Sequence, residues 1–115
     1  GVILVMGGFS NEVWATSDGG ASWNELTSAA PWQGRDSFGT ATTSTGVILV
    51  MGGSYAALSF NDAWSTSDGG ATWTELTSAA PWSARFSNEV WATSDGGAAR
   101  FGTYATTSTG AVLVM

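Results

Sequence analysis

Trp14, Trp23 and Trp32 return as Trp64, Trp73 and Trp82, each 50 residues later, and whole phrases travel with them. "GVILVMGG" stands at 1–8 and 46–53, "ELTSAAPW" at 25–32 and 75–82, and "ATTSTG" at 41–46 and 105–110. A period of this size means that one supersecondary unit is built more than once, and that each unit hides its apolar face against a neighbour. Gly7 and Gly52 are only 45 apart, because "SYAALSFND" replaces "FSNE". One connection varies while the segments around it do not, which places it on the surface.

Within a unit the period is that of strands. "VILVM" is apolar on both faces and β-branched, as a strand buried from two sides requires. It ends at Gly7-Gly8, where the backbone bends sharply or approaches a neighbour closely. "NEVWATS" alternates, with Val13 and Ala15 on one face and Glu12, Trp14 and Thr16 on the other. Ser-Asp-Gly-Gly turns the chain into "SWNELTS", Pro31 breaks that strand, and "SFGTATTS" leads into the next apolar segment. No helical periodicity interrupts the pattern. The expectation is an all-β chain of propeller blades, each a four-stranded antiparallel sheet. At 115 residues, 43% hydrophobic and with seven Trp, the chain has enough apolar surface for a real core.

These residues resemble two repeat signatures. An apolar strand closed by Gly-Gly, then "NEVW" or "NDAW", a Trp opening the fourth strand, and "PWSAR" before "FG" are similar to the kelch repeat. "TSDGGASW" at 16–23 and "TSDGGATW" at 66–73 resemble the Asp-box of sialidase-type propellers. The resemblance covers nearly the whole chain and implies architecture, since such folds carry unrelated functions.

Asp18, Gly19 and Gly20, with Asp68, Gly69 and Gly70, read as structural turns: the carboxylate accepts from the turn's own amides, the glycines supply positive φ, and Trp23 or Trp73 plugs the loop. Asp95 repeats the motif in a clipped copy. Calcium needs several oxygen ligands from one loop, and each copy offers one carboxylate. No metal and no cofactor is expected. Arg35 and Arg85, three residues after Trp32 and Trp82, are placed to stack on those rings or to tie one blade to the next carboxylate. Trp14 and Trp23 and their copies read as core. Trp32, Trp82 and Tyr55 are the candidates for an exposed contact surface.

Composition removes whole function classes. Without His or Cys the commonest general base, metal ligands and thiolate chemistry are missing. The sialidase-like resemblance would imply an arginine cluster and a Tyr–acid pair, and Tyr55 and Tyr104 have no fitting partner; the copper oxidases among kelch propellers use His and Cys. Paired acids such as Glu12 and Asp62 form no asymmetric constellation for a glycosidase or lyase. Three Arg, no Lys and a net charge of −6 exclude a phosphate-binding stripe, so nucleic acid is not an expected partner. The longest apolar runs fall far short of the roughly 20 residues that span a bilayer. The start within an apolar strand implies that any secretion signal was removed or lies upstream.

The units divide as 1–45 and 46–85, a partial duplicate at 86–100, and closing strands at 101–115. Residues 86–98 copy 9–21 letter for letter, and Arg100 stands where Trp23 and Trp73 would be matched. Deleting 86–100 restores a continuous "PWSARFGTYATTSTG", so the block reads as a truncated third repeat spliced into the second or as a composite. About two and a half blades cannot close a ring of four to eight. The set is incomplete, an excerpt of a longer repeat protein, or is completed by other copies. The leading expectation is a non-enzymatic structural or assembly module, extracellular, whose partners are other copies or further blades. The alternative is a propeller that recognises a protein or glycan through its loops.

Overall fold

The computed structural model describes residues 1–86 and the backbones of two further strands at 90–93 and 111–114. Asp95, Arg100 and Tyr104 lie outside the described residues, as does most of the division at 86–100 and 101–115. β1 (Ile3–Met6), β2 (Val13–Thr16) and β3 (Asn24–Thr27) form a three-stranded antiparallel sheet in that order. β4 (Gly39–Thr42) and β5 (Ile48–Met51) are followed by a short hairpin, β6 (Ser54–Tyr55) and β7 (Leu58–Ser59), and then by β8 (Ala63–Thr66) and β9 (Thr74–Thr77). The second sheet has the order β4-β5-β8-β9. β10 (Val90–Thr93) pairs with β11 (Ala111–Val114). The protein is all-β, with one complete four-stranded antiparallel sheet of the kind that makes a propeller blade and a three-stranded sheet reproducing three of its strands.

The copies agree in register as well as in sequence. Ile3 faces Thr16 as Ile48 faces Thr66, and a β-bulge falls between Val13 and Trp14 in one sheet and between Ala63 and Trp64 in the other. A bulge kept at the same place is a built feature that bends the strand and re-aims its side chains. β10–β11 departs from this: Val90, the copy of Val13, faces Val114, the copy of Val5, whereas Val13 itself faces Met6. The pairing is displaced by one residue. Hydrogen bonding is also offset from the sequence period, because β4 pairs with β5 of the following period. The variable connection contains the β6–β7 hairpin, whose turn holds Ala56 at a φ of 54°.

The two sheets pack through a cluster of Val13, Ala30, Trp32, Val50 and Trp73, bordered by Met6, Leu26, Phe38, Ile48 and Trp64. Val13, Met6 and Leu26 come from the first sheet, Val50, Ile48 and Trp64 from the second, and Trp73 from the end of the turn that leads into β9. Ala30 and Trp32 enter from the segment after β3. Burying a ring of the size of Trp32 contributes about 4–6 kcal/mol before conformational entropy is counted. Gly7 explains its own identity here: a Cβ on it would fall 2.3 Å from the Phe38 ring, so the Gly-Gly end of β1 lets the connection press against the backbone.

Burial overturns two sequence expectations. "VILVM" is buried on both faces only in its second copy: Val50 is fully enclosed, with Leu49 and Met51 packed against Ala41 and Ala63 behind it, whereas Val5 is 52% exposed. β5 lies between two strands and beneath the first sheet, while β1 is an edge strand among the described residues. Trp32 is not an exposed contact residue. It is 3% exposed, with its ring perpendicular to Trp73 at 4.4 Å and edge-on to Trp64 at 6.3 Å. The Trp beside Pro is therefore the wedge between sheets. Trp32→Ala is expected to cost about 3–5 kcal/mol of unfolding free energy, read by urea denaturation; Trp82→Ala, at the half-buried copy, costs distinctly less.

Candidate functional site

Between β2 and β3 the turn is assembled from its own residues. Thr16 donates its hydroxyl to Asp18 Oδ1 at 2.8 Å and accepts the Gly20 amide at 3.0 Å. The Ser22 amide and hydroxyl donate to Oδ1 and Oδ2 of Asp18 at 2.9 and 2.6 Å, and Trp23 Nε1 donates to the Gly20 carbonyl at 3.1 Å. The turn between β8 and β9 repeats these contacts with Thr66, Asp68, Gly70, Thr72 and Trp73. Gly69 and Gly70 sit at φ of 78° and 105°, as Gly19 and Gly20 do at 76° and 100°, a region that side chains resist. Both oxygens of each aspartate are thus engaged inside the loop. The Ser22 hydroxyl at Asp18, and the Thr72 hydroxyl at Asp68, are the largest causes holding these carboxyls well below the usual aspartate range, followed by the amides of the same residues.

The two tryptophans that come after these turns differ. Trp73 is 8% exposed and lies against Trp32, while Trp23, expected as core, is 41% exposed. The local turn is the same in both. Among the described residues no ring packs on Trp23 as Trp32 packs on Trp73.

The strongest polar contact joins the units. Arg35 is 1% exposed, and its guanidinium forks onto Asp62, Nη1 to Oδ1 at 2.5 Å and Nη2 to Oδ2 at 2.8 Å. Nη1 also donates to the Gly52 carbonyl at 2.9 Å and Nε to the Gln33 carbonyl at 3.0 Å. The guanidinium carbon lies 4.4 Å from the centre of the Phe60 ring. Of the two roles that the sequence allows, the tie to the next unit's carboxylate is the one present, and the stacking partner is Phe60 rather than Trp32. A fork so fully occupied suits arginine and not lysine. Beside it Asp36 and Ser54 exchange backbone bonds at 2.9 Å, and the Ser54 hydroxyl donates to Asp36 at 2.8 Å.

Sequence reasoning misses the asparagines. Asn11 Nδ2 donates to the carbonyls of Ala30 and Trp32, and Asn61 Nδ2 to those of Ala80 and Trp82, so each asparagine pins the segment that presents the wedge. The available signal is the recurrence of Asn before an acid at 11 and 61. Trp82 is half-buried, and its Nε1 is enclosed without an acceptor among the described residues. Tyr55 is exposed, edge-on to Phe9 at 6.2 Å, with Leu58 exposed beside it on the same hairpin. Among the described residues no three His, Cys, Asp or Glu side chains gather as a metal site would need, and no helix is long and apolar enough to cross a membrane.

The depressed aspartates give a signed pH dependence. A carboxyl whose folded-state pKa lies below its unfolded one stabilises the fold above about pH 4 and loses that contribution as pH falls toward the folded value. Thermal melts from pH 7 to 2 should therefore show Tm falling below about pH 4, with a shallower fall in the Asp18→Asn/Asp68→Asn variant. Arg35→Ala strands Asp62 and is expected to cost about 3–5 kcal/mol in urea melts; Arg85→Ala, in dilute protein, costs under about 1 kcal/mol. No protein-family model and no curated protein matches the chain, which leaves the contacts themselves as the ground for its function.

Proposed function

We propose that the chain is a non-enzymatic assembly module built from kelch-like, Asp-box repeats, a scaffold or filament component outside the cell, whose working surfaces are its unit-to-unit faces. The observation that carries this is the Arg35–Asp62 fork with the Trp32 wedge beside it: the most chemically distinctive side chains are spent on joining one unit to the next. Most of the carboxylates that a hydrolase would need are occupied likewise, Asp18 and Asp68 within their turns and Asp62 by Arg35 and Trp64, while Glu12 has one oxygen on Trp14. The scarcity of charge and the absence of Lys, His and Cys fit a secreted scaffold.

A second reading has one observation in its favour. Phe9, Tyr55 and Leu58 form an exposed apolar group around the β6–β7 hairpin, a surface suited to recognising a protein or glycan. Multi-angle light scattering across a concentration series separates the two. Assembly predicts a mass that climbs above the 11.8 kDa of one chain as concentration rises. A particle of fixed mass that captures a ligand, and loses it on Tyr55→Ala, belongs to recognition instead.

A further inference from the structure

We infer that two copies of the chain join head to tail, with Trp82 and Arg85 of one copy entering the face formed by Glu12, Trp14 and Trp23 of the next. This rests on the assembly reading above and names the contact that does it. The template is inside the molecule. Trp32 and Arg35 leave the first unit and lodge against Trp64, Trp73 and Asp62 of the second. Fifty residues along, Trp82 and Arg85 are the same two residue types with the same spacing, and fifty residues back, Trp14, Trp23 and Glu12 stand where Trp64, Trp73 and Asp62 receive them. Among the described residues there is thus one joined interface and two unmatched halves of another.

Both halves are already posed. Arg85 Nε donates to the Ser83 carbonyl at 3.1 Å, as Arg35 Nε does to that of Gln33, and among the described residues the Arg85 guanidinium meets no carboxylate. Glu12 is held by Trp14 Nε1 at 2.9 Å as Asp62 is held by Trp64 Nε1 at 2.7 Å, which leaves its other oxygen open to a guanidinium. Around these charges the apolar surface is bare where its copies are covered. Val5 and Trp23 are exposed where Val50 and Trp73 are enclosed, and Leu76 is exposed where Leu26 packs into the core. Exposed rings and a buried-type arginine are what a protein interface concentrates at its centre. The positive partner sits at one end and the negative at the other, so the contact is heterologous, and it grows into a ring or an open filament. One difference is built in: Ser10 stands where Phe60 lies under Arg35, so the second joint forms without that ring and is weaker than the first.

Sedimentation velocity over a concentration series tests this with charge reversals. Glu12→Arg and Arg85→Glu are each expected to raise the apparent dissociation constant more than about thirtyfold, and Trp82→Ala to do likewise, with circular dichroism spectra and melts of the dilute proteins checking that the fold is kept. Each reversal alone sets like charges against each other at every joint. An equimolar mixture of the two single variants should therefore regain assembly, since alternating copies then meet with opposite charges, and the double variant Glu12→Arg/Arg85→Glu should regain it unaided. Single variants that assemble as the parent does would overturn this contact while leaving the assembly reading in place. A parent chain that stays monomeric at every concentration would overturn both.

Discussion

A tryptophan driven between two sheets is the constraint on which the described part of the molecule depends. Trp32 belongs by sequence to the first unit, yet its ring packs on Trp64 and Trp73 of the second, and the sheets meet around it. Each sheet alone would leave a face of valine, leucine and tryptophan in water. The wedge turns two marginal sheets into one core, and Asn11 fixes the segment from which it springs. Arg35 adds direction to this non-directional adhesion, because its fork accepts Asp62 in one geometry only.

That division of labour explains why near-identical local sequences have different environments. The Asp18 and Asp68 turns are the same to within a tenth or so of an ångström in most of their hydrogen bonds. Trp23 and Trp73, which come next in the chain, are nevertheless exposed and buried respectively. Local chemistry makes the turn, and the neighbouring unit decides the fate of the side chain that leaves it. A repeat protein separates these two levels more cleanly than a fold in which every element differs.

The same separation sets what can be read from the residues alone. Strand type, turn positions and the carboxylate-to-amide logic of the Asp-Gly-Gly loops are legible, because each is settled within a few residues. The alternating pattern of "NEVWATS" identifies β2 and β8 for the same reason. Trp32 is not legible: a Trp next to Pro in a connecting segment has the local signature of a surface residue, and its burial comes from a sheet that begins seven residues later. Nor do β1 and β5 differ in letters, although among the described residues one is an edge strand and the other is central. Phe60 under Arg35 is hidden from sequence reasoning because it lies in the one connection whose length changes between copies.

The offset between hydrogen bonding and sequence period has an evolutionary consequence. Since β4 is stitched to β5 across the seam between periods, the complete four-stranded sheet is composed of two successive stretches of the gene. Copying one period therefore never adds a self-sufficient block; it lengthens the chain by a piece that must borrow its first strand from the period before it and lend its last to the period after. Tandem duplication in such a gene extends an existing structure by overlap, as courses of brick are laid across the joints beneath them.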